Sequence, residues 1–229
     1  MARVGAGSTA LLLLADPLSA KILRAHVDGP LRPAALHREI GWSARTTVRT
    51  SVARLQGAGA LHRQEIDDSP YAVENELTPA GEDLLSVAAA VEAWLALAPG
   101  GPIAPDSNAA KAAIKGLVGG WDSTIVQRLA RGPQTLAQLD SAIPALGYPS
   151  LKRHLSGMRL SHLVEPAAAG NGATANAVAP TEWLRRAVAP LAVAARFERL
   201  HMASTTTAMT AAELEATRML TAPRLDLLR

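Results

Sequence analysis

The sequence has no cysteine in its 229 residues and few aromatic residues. Without cysteine, disulfide bonds, cysteine-ligated zinc, iron–sulfur clusters, thiol nucleophiles and thiol redox switches are excluded. The aromatic residues are 4 Trp, 2 Tyr and 1 Phe. Because β-strands favour aromatic and β-branched side chains, this scarcity predicts a mainly helical protein.

Long apolar runs are also missing from the N-terminal region. The run 10–15 is closed by Asp16-Pro17, so it is too short for a membrane span, and it lacks a signal-peptide cleavage pattern. We therefore expect a cytoplasmic protein that does not contact a membrane. The apolar content of 48% is too high for a disordered chain, and the length suits two cores of about 100 residues each.

The second half of the sequence repeats the pattern of the first. The Pro- and Gly-rich segment 99–107 separates two stretches of helical periodicity. Moving the second half back by 103 residues places Leu139 on Leu36 and Leu151 on Val48, without a gap over roughly forty positions. This register predicts a duplicated module. The predicted parts are an N-terminal domain 1–98, a linker 99–108, a C-terminal domain 109–204 and a C-terminal helical extension 205–229.

The first half predicts the order helix, helix, helix, hairpin, helix. Asp16-Pro17 begins the first helix, and Ser43 is predicted to cap the third. The other predicted elements are a helix over 31–40, strands over 61–66 and 71–77 joined by a turn at 67–70, and a helix over 79–98. The order is typical of a winged helix-turn-helix, with a helical bundle carrying an incidental hairpin as the alternative. In the second half, Pro190 predicts a kinked or split last helix.

Several motifs resemble those of one family. They are Gly29-Pro30 before the second helix, the segment 55–61 after the third, the segment 69–81 around the second strand, and Trp94. Together they resemble the HxlR-type branch of the MarR-like winged-helix regulators, and 115–202 is similar through Gly119-Gly120-Trp121. The resemblance implies a bacterial transcription regulator with a winged helix-turn-helix fold, mainly α with small β-hairpin wings. Combined with the repeat, it predicts two tandem winged helix-turn-helix domains that form a pseudo-dimer within one chain. Asn75 departs from the family, which usually has Tyr there.

The charge distribution indicates a nucleic-acid partner more clearly than the formal net charge of +3 does. No Asp or Glu occurs between Glu39 and Glu65, or between Asp140 and Glu165, the two windows that hold the predicted recognition helices. The basic and hydroxyl side chains in these windows are suited to contact bases and phosphates of double-stranded DNA. The predicted DNA-binding residues are Ser43, Arg45, Thr46, Arg49, Thr50, Arg54, Ser150, Lys152, Arg153, Ser156 and Arg159.

The remaining patterns give alternatives and exclusions. The acidic first wing and uncharged second wing favour a second hypothesis, a winged-helix protein-interaction module that no longer binds DNA. No metal site, cofactor motif or catalytic pairing is recognised, so no enzyme is predicted, and 116–120 is interpreted as a loop and not as a phosphate cradle. Trp94 and Trp121 are candidates for lining a small-effector cavity, with a core or inter-repeat packing role as the alternative. The protein is expected to be a monomer or a homodimer formed through the C-terminal helices.

Overall fold

The structure is a computed structural model that describes residues 8–41, 44–66, 73–167 and 176–202. The predicted turn at 67–70 and extension at 205–229 lie outside these ranges. The first half contains helices α1 to α5 and strands β1 and β2, in the order α1 (Thr9–Leu14), α2 (Pro17–Ala25), α3 (Pro33–Ile40), α4 (Arg45–Gly57), β1 (Leu61–Glu65), β2 (Val73–Leu77) and α5 (Pro79–Leu95). From α2 onward this is the predicted order, which is consistent with a winged helix-turn-helix, and α1 is an additional helix that was not predicted.

Local sequence signals explain where α2 and α5 begin. The Asp16 carboxylate accepts a hydrogen bond from Leu18 N, and the Thr78 hydroxyl accepts one from Gly81 N. Each cap is followed by a proline in the first turn, where the missing N–H leaves no helical bond unmade. The two strands are antiparallel, with Leu61 opposite Leu77 at the end of the hairpin next to the core.

The second half contains helices α6 to α11 and strands β3 to β5. Its elements are α6 (Asn108–Val118), α7 (Gly120–Leu129), β3 (Gln134–Thr135), α8 (Leu136–Ala142), α9 (Tyr148–Leu160), β4 (Val164–Pro166), β5 (Ala177–Pro180), α10 (Glu182–Arg186), α11 (Val188–Phe197) and a π-helical turn (Glu198–Met202). The three strands form an antiparallel sheet in the order β3-β5-β4.

Five elements of the second half begin 103 residues after a counterpart in the first. They are α7 after α2, α8 after α3, α9 after α4, β4 after β1 and α10 after α5. Strand β3 has its counterpart in the isolated bridge between Leu31 and Asn75. The last helix differs, because α10 and α11 are separated at Ala187, three residues before Pro190. The predicted split is therefore confirmed, and Pro190 lies in the first turn of α11, where its missing N–H does no harm.

One hydrophobic core runs through both halves. Helix α5 packs along α11, and the indole rings of Trp94 and Trp183 stack with centroids 4.4 Å apart and planes 7° apart. Each indole N–H donates to the backbone carbonyl of the other tryptophan at 2.9 Å. Since both side chains are almost fully buried, this pair joins α5 to α10 without leaving an indole N–H unsatisfied.

The interpretation of 116–120 as a loop is wrong for four of its five residues, because α6 continues to Val118 and α7 begins at Gly120, which leaves only Gly119 between the two helices. Gly116 lies inside α6, which continues to Val118. A Cβ at Gly116 would lie 2.6 Å from Leu163 Cδ1, so the glycine lets the helix approach the buried Leu163 closely. Glycine here marks close packing and not a chain break. None of the helices in the described part of the chain is long and apolar enough to cross a membrane.

Candidate nucleic-acid interface

Helix α4 separates an apolar face from a basic one. Val48, Ser51 and Leu55 are buried at helical spacing against the core. All the residues predicted on the opposite face are exposed, namely Arg45, Thr46, Arg49, Thr50 and Arg54. The N-cap position is Ala44, not Ser43 as predicted, and Ser43 itself lies outside the described residues.

The arginines on α4 differ in whether they form an ion pair within the described part of the protein. Arg45 and Arg49 form no ion pair with any residue in the described ranges, and their spacing of four places them on one side of the helix. Arg54 lies 3.4 Å from Asp16, so it is partly engaged within the protein. The Thr50 hydroxyl donates to the Thr46 carbonyl, which leaves its oxygen able to accept a hydrogen bond.

A partly buried hydrogen bond fixes α4 to the start of α2. The Ser51 hydroxyl donates to Asp16 Oδ2 at 2.6 Å, while Oδ1 of the same carboxylate caps α2. Ser51 is 1% exposed. Because one short carboxylate holds both elements, the rotation of α4 about its axis is tied to the first turn of α2, and the basic face is held outward.

Helix α9 presents a second basic face. Leu151, Leu155 and Met158 are buried, as the sequence predicts. Ser150 is half-buried, and the other predicted residues, Lys152, Arg153, Ser156 and Arg159, are exposed. The Ser156 hydroxyl donates to the Lys152 carbonyl, one turn earlier, at 2.9 Å. On α4 the Thr50 hydroxyl donates to the Thr46 carbonyl in the same way. The three cations form no ion pair within the described part of the chain.

Helix α9 is tied to the start of α7 by a different pair of side chains. His154 Nδ1 donates to Asp122 Oδ1 at 2.7 Å. Burial raises the pKa of the Asp122 carboxyl, and the hydrogen bond from His154 opposes that shift. His154 therefore has a structural partner within the second half.

The first turns of α4 and α9 share an uncapped N-terminus. No side chain of the described residues accepts a hydrogen bond from the first N–H groups of either helix. Helices α3, α7 and α11 lack a side-chain cap as well, so this feature does not distinguish α4 and α9 from the other helices.

The two tryptophans named as effector candidates lie in different settings. Trp94 is 2% exposed and is stacked on Trp183 with its N–H satisfied, so it offers little surface to a ligand. Trp121 is half-buried near the start of α7 and packs against the core. The structure gives Trp94 a clear packing role between α5 and α10.

Sequence reasoning missed the residues that position the basic helices and one further cation. Asp16 was predicted only as a helix cap, and Ser51 was not predicted. Arg63 on β1 was not predicted, although strand alternation places it on the same face as the buried Leu61. That alternation is the signal that would have found it, since it directs Arg63 towards the side of the hairpin that faces α4.

Comparison with known proteins connects this geometry to a family. Residues 13–98 match the family model described as HxlR-like helix-turn-helix. The matched segment contains α2 to α5 and the hairpin, and it is fewer than half of the chain's residues. The match supports an HxlR-type helix-turn-helix in the first half and indicates a DNA-binding transcription regulator, not an enzyme. No curated protein matches the chain.

Proposed function

We propose that the chain is a sequence-specific regulator of transcription that binds double-stranded DNA through two non-identical recognition helices, α4 and α9. The role on DNA places its proposed site of action in the cytoplasm. The observation that carries the proposal is the pair of basic helix faces, on α4 and α9, that contain no Asp or Glu. A hydrogen bond to the start of α2 holds the face of α4 outward, and a hydrogen bond to the start of α7 does the same for α9.

The second half enters the proposal as a degenerate copy of the winged-helix module. Its support is the constant offset of 103 residues between counterpart elements, which preserves the order of helices and strands although few side chains are identical. The domain limits proposed are 1–98 and 109–204, joined by 99–108. A single chain would then supply the two recognition helices that are commonly supplied by the two subunits of a symmetric dimer.

Each exposed side chain has a chemistry suited to one type of contact. An arginine side chain can form paired hydrogen bonds to guanine or bind a phosphate, and this applies to Arg45, Arg49 and Arg153. The Lys152 ammonium can bind a phosphate as a point charge. Threonine and serine hydroxyls accept or donate to phosphate and base edges. Arg49 corresponds to Lys152, and Thr50 corresponds to Arg153. Because these side chains differ, the two helices should prefer different half-sites, and the DNA-binding site as a whole should be asymmetric.

The proposal is tested by binding of the full chain to the intergenic DNA upstream of its own gene, with a scrambled duplex for comparison. Fluorescence anisotropy at about 50 and 200 mM salt should show tight, salt-sensitive binding that prefers the native duplex. The double variant Arg49→Ala, Arg153→Ala should lose about 1–3 kcal/mol for each base contact removed and should show a shallower salt dependence.

A charge-matched control separates base contact from general attraction. Lys111 on α6 and Arg196 on α11 are exposed cations outside the predicted interface. Replacing both with Ala changes the net charge equally and should leave the preference for the native duplex intact. Equal loss in the two double variants, or unchanged binding after Arg49→Ala and Arg153→Ala, would refute the assignment.

The hairpin favours one alternative function. Its exposed side chains include Glu65 and Glu76, and Glu74 pairs with Arg32, so the part of the first wing that the structure describes is acidic. An acidic wing suits a protein partner better than a phosphate backbone. If the chain is a winged-helix interaction module without DNA binding, both duplexes will bind weakly and with little dependence on salt.

A further inference from the structure

Tyr148 is the first residue of α9, and it is 50% exposed. Its ring stacks on no aromatic side chain of the described residues, and its hydroxyl forms no hydrogen bond with them. A spacing of three from the buried Leu151 would allow the ring to join the core, yet half of the residue's surface remains in solvent. Packing within the described part of the chain therefore does not account for an aromatic ring at this position.

The backbone around Tyr148 is fixed on both sides. Gly147 before it has a φ of 72°, a left-handed conformation that favours glycine, and the ring of Pro149 after it restricts φ. The Gly147 carbonyl accepts a hydrogen bond from Leu151 N at 3.0 Å, and Leu146 and Leu151 are both buried. The Tyr148 side chain therefore starts from a defined place at the beginning of the helix.

Tyr148 occupies the position that Arg45 has in the first half. The two residues are 103 positions apart, the offset that relates α9 to α4, and each is the first residue of its helix. Each also lies one turn before an exposed cation, which is Lys152 on α9 and Arg49 on α4. A phenol ring on one proposed recognition helix therefore takes the place of a guanidinium group on the other.

These two side chains are suited to different base pairs. A guanidinium group can donate two hydrogen bonds to the O6 and N7 acceptors that guanine presents in the major groove. A phenol ring instead offers an apolar surface to the C5 methyl group of thymine, and its hydroxyl can reach a phosphate oxygen. At equivalent positions, Arg45 is therefore suited to guanine and Tyr148 to thymine.

We propose that Tyr148 is a specificity-determining residue, whose ring packs against the methyl group of one thymine in the half-site bound by α9. The inference rests on the proposed function, because it assigns one base pair within the DNA site of α9. It also states how the two half-sites differ, with a guanine facing Arg45 and a thymine facing Tyr148 at equivalent positions.

Replacement of thymine by uracil tests this contact, because uracil still pairs with adenine and lacks only the methyl group. Footprinting of the full chain on its upstream duplex locates the protected region, and each thymine in that region is then replaced singly. For the unaltered chain, one replacement should weaken binding about fourfold, the value of about one buried methyl group. The same replacement should have no effect on Tyr148→Ala and should keep its effect on Tyr148→Phe, which retains the ring.

Arg45→Ala is the matched control at the equivalent position. It should weaken binding but leave the fold-change caused by uracil unaltered. It should instead abolish the effect of replacing one guanine in the other half-site by 7-deazaguanine, which lacks the N7 acceptor. Tyr148→Ala should leave that guanine effect intact. Circular dichroism should be the same for both variants, since both positions are exposed.

Tyr148→Arg tests whether the preference can be exchanged. This variant should bind at least about fivefold more tightly when the identified thymine is replaced by guanine, with cytosine opposite, than it binds the unaltered duplex. The unaltered chain should show the reverse order. The same order of affinities in the two proteins would contradict base selection at this position.

The outcomes separate this inference from the proposed function. Specific binding in which every uracil effect survives in Tyr148→Ala, or is lost equally in Arg45→Ala, would overturn this inference and leave the proposed function standing. Absence of specific binding by the unaltered chain would overturn the proposed function and this inference with it.

Discussion

Trp94 and Trp183 exchange equivalent hydrogen bonds, so replacing either one with Phe should have a similar effect on stability. Each substitution removes one indole N–H that donates at 2.9 Å to the other residue's carbonyl and makes one ring of the same stack smaller. The lost ring area is therefore similar in both variants.

Helices α5 and α10 end in the same way beside this pair. Ala98 N, the regular helical donor for the Trp94 carbonyl, bonds to the Leu95 carbonyl, and Ala187 N, the regular donor for the Trp183 carbonyl, bonds to the Leu184 carbonyl. Each substitution should therefore lose the net value of one hydrogen bond, about 0.5–1.5 kcal/mol, beyond the ring term.

Urea unfolding at 25 °C, followed by circular dichroism at 222 nm, measures both variants. We expect both variants to lower the free energy of unfolding by the same amount to within about 0.5 kcal/mol, with equal m-values. Trp121→Phe is the control, because the half-buried Trp121 ring makes no hydrogen bond to any described residue. A difference of more than about 1 kcal/mol between the Trp94 and Trp183 variants would refute the equivalence of the two hydrogen bonds.

Two further predictions concern glycine packing and acid sensitivity. Gly116→Ala should destabilise the fold by about 1–3 kcal/mol because its Cβ would press on the buried Leu163, whereas Gly157→Ala, with open space around it on α9, should stabilise by about 0.5–1 kcal/mol in the same urea assay. Stabilisation by Gly116→Ala, or destabilisation by Gly157→Ala, would contradict the packing argument. Burial lowers the pKa of His26, whose Nδ1 donates to the Ile22 carbonyl, so its contribution to stability is present above the ordinary pKa of 6.5 and is lost as the pH falls through the lowered value. His26→Leu should flatten the slope of unfolding free energy between about pH 5 and 7, and an unchanged slope would contradict this assignment.

The sequence predicts the helices of the first half well because their signals are local. Asp16-Pro17 and Thr78-Pro79 each combine a capping side chain with a proline in the first turn, and both helices begin there. Gly116 shows where local reasoning fails. Its role depends on Leu163, forty-seven positions later in the chain, and no local pattern distinguishes a glycine needed for close packing from one that ends a helix.

The exposed basic faces of α4 and α9 could be predicted from the sequence, whereas the groove lined by α3, α4 and the β1–β2 hairpin could not. Helical spacing alone separates Val48 and Leu55 from Arg45 and Arg49, so burial on one face implies exposure on the other. The groove requires α3, α4 and the hairpin to be set at particular distances, which depend on the bond between Gln56 and Asn75. Gln56 and Asn75 lie in different elements, and the local sequence around either residue does not indicate that the two are in contact.

The anchors of α4 and α9 give the duplicated-module proposal a geometric basis that side-chain identity does not. Ser51 and His154 are 103 residues apart, and each donates to a carboxylate at the beginning of α2 or α7, two helices whose starts are also 103 residues apart. The carboxylates occupy different positions, the N-cap Asp16 and the third helical residue Asp122, because Ser is short and His is long. A shared function with exchanged side chains is the pattern that divergence from one module produces. Independent origins would require the same two helices to acquire the same tie at the same register by chance.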